Sequence, residues 1–196
     1  MKILVTNAIS QERVDIDFFE CTVIYCETGI GKVNAVLAVY DLVERYKPDL
    51  ILNIGTAGSI KHEIGSVLVC GRFKDRDLEK CKELSVEYNH DFTKELAKIP
   101  LISSWDFQYL CNTGDSFITE KIIDDADVYD MENFAVATLC KQKNIPLVSV
   151  KYVTDKIGEN SIQDWESKLS YAKVILEDFL RKMNSQFIEN YRIKKY

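Results

Sequence analysis

Four acids and two aromatic rings stand in this chain where they could act on a small ligand. Asp130-Met131-Glu132 sets two carboxylates about a methionine, at the point where a strand pattern gives way to a helix pattern. A carboxylate there can accept two hydroxyl hydrogen bonds, as a diol would offer. The competing reading is helix capping, because negative charge is favourable at a helix N-terminus. Val153-Thr154-Asp155 ends another apolar run. A carboxyl group at the end of a buried strand is a candidate for a raised pKa and could donate a proton as a bond breaks. An Asp-Lys pair after a strand also suits an ordinary turn. Glu12 closes the segment Asn7-Ala8-Ile9-Ser10-Gln11-Glu12 after the first strand pattern, a place where a glutamate usually faces solvent. Thr56, in Asn53-Ile54-Gly55-Thr56-Ala57-Gly58, brings a hydroxyl to the carboxyl end of a strand. Small ligands bind at that edge of an open α/β sheet, though a threonine can also simply cap a turn. Phe117, in Gly114-Asp115-Ser116-Phe117-Ile118, could stack on a flat base with little ordering cost or fill the core. Trp165 lies ten residues beyond Asp155, on a helical pattern that could equally use it for packing.

Gly29-Ile30-Gly31-Lys32 could cradle a phosphate, since turn amides ahead of a helix bind anions. It lacks the third glycine of a dinucleotide fingerprint and the Gly-Lys-Ser/Thr of a P-loop, so a structural turn is the stronger reading.

These residues need a frame. Strand patterns occur at Ile3–Asn7, Cys21–Cys26, Leu50–Ile54, Ser66–Cys70, Gln108–Cys111, Val128–Met131 and Leu147–Val153. Helical periodicity covers Val33–Tyr46, through Val33, Val36, Leu37, Tyr40 and Val43, and stops before Pro48. It returns at Asn133–Lys143, and at Ile162–Met183 with Trp165, Leu169, Ala172, Leu176, Phe179 and Leu180 on one side. The polar stretch Lys74–Ser104 yields only one short helix near Thr93–Ala97. Alternating strands and helices predict an α/β fold: one domain over 1–185, a three-layer sandwich whose mixed, mainly parallel central sheet is flanked by helices. Residues 186–196, with Arg192, Lys194 and Lys195, read as a polar C-terminal tail.

The chain has 196 residues, enough for a real core, with 46% hydrophobic and 29% charged residues. A net charge of −6 argues against sequence-independent nucleic-acid binding. No apolar run approaches the ~20 residues that span a bilayer, so no membrane role is expected. Met1-Lys2 leads directly into the first strand pattern with no secretory core. The six cysteines form no Cys-x-x-Cys pair, and the expectation is a cytoplasmic protein with reduced thiols and no metal or organic cofactor.

Taken in order, these segments resemble the purine nucleoside phosphorylase and nucleosidase superfamily, most closely the branch that hydrolyses 5′-methylthioadenosine and S-adenosylhomocysteine. The resemblance runs from Met1 to about Trp165 and implies a nucleoside phosphorylase-like fold. It also implies hydrolysis of the N-glycosidic bond of an adenosine-type nucleoside. By the same resemblance Glu12 activates water and Asp155 hydrogen-bonds or protonates the purine at N7. Glu132 takes the ribose hydroxyls, with Met131 against the sugar. Phe117 stacks on the base, and Ile118 binds it through its backbone. Thr56 faces the ribose and water, Ile9 and Thr154 are among the substrate-binding residues, and Trp165 lies over the sugar's 5′ side. Asn53 stands where phosphorylases of the superfamily carry a phosphate-binding arginine, and asparagine offers neither the charge nor the bidentate fork. The chain also departs from the nucleosidase pattern. Asn7, Ile9, Lys74 and Asp130 replace glycine, methionine, histidine and glutamate, and no aromatic, glycine-rich insertion follows Asp77. A small-molecule purine nucleoside is the expected partner, and a homodimer the expected assembly. A phosphate-dependent phosphorylase and a catalytically weak nucleoside-binding protein are the alternatives.

Overall fold

The computed structural model describes residues 1–120, 125–158 and 161–193. β1 (Lys2–Asn7) and β2 (Thr22–Glu27) precede α1 (Lys32–Tyr46) and β3 (Leu50–Ser59). Next come β4 (Val67–Asp75), β5 (Asn89–Asp91), the short α2 (Thr93–Leu96), β6 (Tyr109–Thr113) and β7 (Val128–Asp130). α3 (Asn133–Lys143), β8 (Leu147–Lys156) and α4 (Ser161–Ile193) complete the order.

β3 organises the sheet. It pairs in parallel with β1 on one side and β8 on the other, and β2 extends the sheet beyond β1. β8 runs antiparallel to β4, β4 parallel to β6, and β6 parallel to β7. β7 returns to β3 where Gly58 faces Tyr129, so β3, β8, β4, β6 and β7 close on themselves. β5 is an antiparallel edge beside β4. Five of the eight pairings are parallel, the mixed, mainly parallel sheet expected. Leu50, Ile51, Leu52 and Ile54 are all buried. A strand covered on both faces loses the alternation of a half-exposed one and reads as a continuous apolar run.

α1 packs against α3, and α4 lies across β8 and β3. The buried face of α1 is Ala35, Val39 and Val43, so of the periodic row Val43 alone is fully buried. Val33, Leu37 and Tyr40 point to solvent at 67%, 63% and 45% exposure. The inner face carries the smaller side chains, which let the helix approach closely. The helix stops at Lys47, in the left-handed region with φ 49°, just before Pro48. α3 spans the residues expected and ends at Asn144 with φ 54°.

α4 corrects the C-terminal boundary. It continues through 186–193, which the sequence suggested as a polar tail, and buries Ala172, Leu176 and Leu180 upstream. Phe187 and Tyr191 carry that last stretch onto Phe19, with ring centroids 6.5 and 5.5 Å away. Asn184 accepts the Phe19 N–H and donates to the Asp17 carbonyl. Arg192 is helical, while Lys194 and Lys195 lie outside the described residues.

Candidate active site

The carboxyl ends of β1, β3 and β8 and the segments around Phe117 and Met131 meet at one open cleft. Its empty volume is about 800 Å³. Ile9, Glu12, Thr56, Phe117, Ile118, Met131, Glu132, Asp155 and Trp165 all line it.

Glu12 does not face solvent; it is 4% exposed. The 3-10 turn Ser10–Glu12 folds its side chain back under β3. Its Oε1 accepts the Thr56 backbone N–H at 2.7 Å and the Thr56 hydroxyl at 2.6 Å. Its Oε2 takes one longer bond, from the Ala8 N–H at 3.3 Å. Gly55 makes room, because a Cβ there would stand 3.3 Å from both carboxylate oxygens.

Asp155 reaches the cleft through a bulge. Ala57 of β3 faces Val153 of β8, and the next residue, Gly58, faces Asp155, so Thr154 is the extra residue. A bulge re-aims the side chain that follows it. Thr154 is fully buried rather than cavity-lining, and this corrects its expected contact with ligand. Its hydroxyl lies 2.9 Å from Asp155 Oδ1 and 3.4 Å from the Ala57 carbonyl, so it supports the carboxylate from behind. Gly58 admits Asp155, since a Cβ there would fall 2.8 Å from Oδ2.

Glu132 and Asp130 play different parts. Glu132 lines the cleft at 8% exposure, and its Oε1 accepts the Gly31 N–H at 2.8 Å. The Gly29–Gly31 turn is therefore structural: it holds a carboxylate of the site. Burial pushes the Glu132 carboxyl up to about 7, aided by the neighbouring Asp130 charge and opposed by Lys151 and the Gly31 N–H. The Asp130 carboxylate lies beneath. It pairs with Lys151 at 3.1 Å and accepts from the Thr113 hydroxyl at 2.6 Å and from Asn133 Nδ2 at 2.6 Å. Burial alone would raise its pKa, but Lys151 and these donors hold it below the usual value, while Lys151 is raised in turn. Asn133 also donates to Asn53 Oδ1, and Asn53 donates to the Thr6 hydroxyl. Asn53 thus belongs to this buried network and does not face the cleft.

Phe117 is 36% exposed, and its ring meets Trp165 edge-on at 6.2 Å. Trp165 also donates from Nε1 to the Thr56 hydroxyl oxygen at 3.0 Å. Arg76, Tyr129 and Ile157 line the cleft as well and were not expected. Ile157 follows Asp155 by two residues along β8 and beyond, a period-two signal that was available. Tyr129 gives no such signal in its three-residue strand. Arg76 donates to the carbonyls of Asn112, Asp130 and Ser116. Lys74, in the histidine position, pairs with Asp125 at 2.7 Å and Glu79 at 3.2 Å. Among the described residues no group of three or more His, Cys, Asp or Glu could hold a metal. The six cysteines are free thiols. No helix among the described residues is long and apolar enough to cross a membrane.

The mixed α/β sheet that gathers buried carboxylates, a ring and a hydroxyl at its strand ends has the nucleoside phosphorylase-like fold. Residues 14–99 match the Phosphorylase superfamily. It is similar to the 5′-methylthioadenosine/S-adenosylhomocysteine nucleosidase of Bacillus velezensis, 29% identical over 180 residues, covering 78% of this chain and 76% of that one. The protein of the same name from Staphylococcus aureus (strain MRSA252) is 29% identical over 187 residues, covering 84% and 82%. Among solved structures, the S. pneumoniae nucleosidase with the transition-state inhibitor MT-ImmA superposes with a TM-score of 0.79 at 18% identity, covering 94% and 98% of the chains. The futalosine hydrolase of Helicobacter pylori superposes at 0.74 with 18% identity, covering 94% and 97%. At such identities the superpositions speak for the fold.

Proposed function

We propose that this protein is a purine nucleosidase. It hydrolyses the N-glycosidic bond of an adenosine-type nucleoside, of the methylthioadenosine or adenosylhomocysteine kind, to free base and a ribose derivative. The observation that carries this reading is the convergence of Glu12, Glu132 and Asp155 on one cleft that an aromatic ring overhangs. Phe117 stacks on the base and Ile118 binds its edge through the backbone. Asp155, held by Thr154, donates to N7 and makes the base a better leaving group. As the bond from C1′ to the base breaks, its electron pair leaves with the base and positive charge builds on the sugar. Glu132 accepts the ribose hydroxyls, and Met131 lies against the sugar. Glu12 takes a proton from the water that attacks C1′, with Thr56 beside it. Ile9 and Trp165 flank the 5′ group. No metal or organic cofactor takes part.

Water fits this cleft better than phosphate. Two buried carboxylates on the sugar side oppose a second anion. The Arg76 guanidinium is engaged by three backbone carbonyls, and Asn53 faces away. The test is free-base release from adenosine, inosine, methylthioadenosine, adenosylhomocysteine and futalosine, with and without phosphate. Phosphate-independent release is expected, and Asp155→Asn should lose most of the rate, on the order of 100-fold or more, while still binding nucleoside. Release only with phosphate identifies a phosphorylase. Ligand-induced stabilisation without product identifies a binding protein.

The same reading makes the protein a cytoplasmic homodimer. The exposed row Val33, Leu37 and Tyr40 on α1, continued by Ile30 at 46% exposure on the cleft rim, supports the dimer. Six unpaired thiols suit a reducing compartment.

A further inference from the structure

The long helix α4 reaches the site through a hydrogen bond that ends, one residue later, on a carboxylate. Trp165 Nε1–H donates to the Thr56 hydroxyl oxygen at 3.0 Å, and that hydroxyl donates to Glu12 Oε1 at 2.6 Å. An indole nitrogen can only donate, so the Thr56 oxygen must act as acceptor toward Trp165. The single hydroxyl proton is then directed elsewhere, and Glu12 Oε1 is the acceptor in place. Chained hydrogen bonds polarise and strengthen one another. Oε1 already takes a second donor, the Thr56 backbone N–H at 2.7 Å, while Oε2 has only the 3.3 Å bond from Ala8. The two oxygens of Glu12 are therefore unequal.

We propose that Trp165 is a positioning residue that acts through Thr56 on Glu12. Its indole N–H fixes the hydroxyl as a donor to Oε1, which leaves Oε2 as the oxygen that receives the proton of the attacking water. This rests on the nucleosidase reading above. In the step, the water O–H bond breaks toward Oε2 while the water oxygen bonds to C1′. The bond from C1′ to the base breaks, and its electron pair departs with the base. The role needs a donor, so an apolar ring of similar size cannot replace it. A tryptophan that merely covered the sugar would be replaceable by phenylalanine.

The experiment compares Trp165→Phe, Thr56→Ser, Thr56→Val and the Trp165→Phe/Thr56→Val double variant. The assay uses whichever nucleoside of the panel the wild type cleaves fastest. Trp165→Phe should lower kcat about tenfold with KM within about twofold, the upper end of the scale of one neutral hydrogen bond. Thr56→Ser should retain most of kcat. Thr56→Val should lose it, and Trp165→Phe should add nothing in that background. Wild-type kcat in Trp165→Phe, or penalties that multiply in the double variant, overturns the proposal. A second readout needs no turnover: the indole N–H resonance of Trp165 in the folded protein, with Trp105 as internal reference. It should shift in Thr56→Val and in Glu12→Gln, and a resonance that stays in place in both overturns the hydrogen-bond chain. If the wild type releases no base, the nucleosidase reading fails by itself, and the resonance still decides whether Trp165 is tied to Glu12.

Discussion

Glu132 is the side chain whose charge costs the fold most visibly. Burial comes first and the Asp130 charge second, and together they push its carboxyl up to about 7 against Lys151 and the Gly31 N–H. A group whose pKa is higher folded than unfolded lends its full stability below the unfolded value. That contribution is lost as pH rises from the ordinary 4.5 to about 7. Glu132→Gln should therefore raise the Tm at pH 8, by the equivalent of at most about 3 kcal/mol, and leave it nearly unchanged at pH 4.5. Thermal melts of both proteins across this range check it. If the ionised carboxylate is the form that accepts the ribose hydroxyls, kcat/KM of the wild type should rise with pH through about 7. The variant should be more stable and nearly inactive, a familiar opposition at functional sites. Glu12, Phe117, Glu132 and Asp155 were visible in the sequence because each stands beside a strand-end motif. Thr154 was misjudged because a bulge cannot be read from residue types, and the bulge decides which of two adjacent residues meets the cleft. The tie from Trp165 to Thr56 joins residues more than a hundred positions apart, beyond any local pattern.

Among elements, the segment that carries Phe117 is held by a side chain from a different strand end. Arg76 follows β4 and donates to the Ser116, Asn112 and Asp130 carbonyls. It lies so close under Gly114 that a Cβ there would overlap its guanidinium. Gly114→Ala should evict Arg76 and loosen the Phe117 segment, raising KM about tenfold with a smaller change in kcat. Arg76→Ala should do the same, and the double variant should be no worse than Arg76→Ala alone, because both remove one arrangement. Steady-state kinetics on the three variants tests this. The strands of the parallel core were legible because their apolar runs are continuous. β5 was not, since Asn89-His90-Asp91 is short and polar and owes its place to pairing with β4. On α1 the periodic residues Val36 and Val43 pack inward, but Val33, Leu37 and Tyr40 face solvent while Ala35 and Val39 are buried. Periodicity finds a stripe, and two adjacent stripes need packing to choose between them.

At the scale of the molecule, the row that α1 leaves uncovered bears on assembly. If Val33, Leu37 and Tyr40 meet a second copy, Leu37→Glu should place a charge in an apolar contact and yield monomers by sedimentation. The variant should stay folded, because Leu37 is 63% exposed in the single chain. A wild-type monomer at micromolar concentration would remove the homodimer from the reading.

The closed set of strands has a consequence for how the protein is made. β3 is laid down early, yet its partner β7 arrives about seventy residues later, and β8 and the tryptophan of α4 roughly a hundred. Until Trp165 has left the ribosome, Glu12 and Thr56 lack their last neighbour and the cleft has no roof. Non-local pairing of this kind delays folding and leaves strand edges open in the interim. A nascent chain of this protein must therefore wait, with the buried strand β3 unpaired on one side, until β8 has been translated.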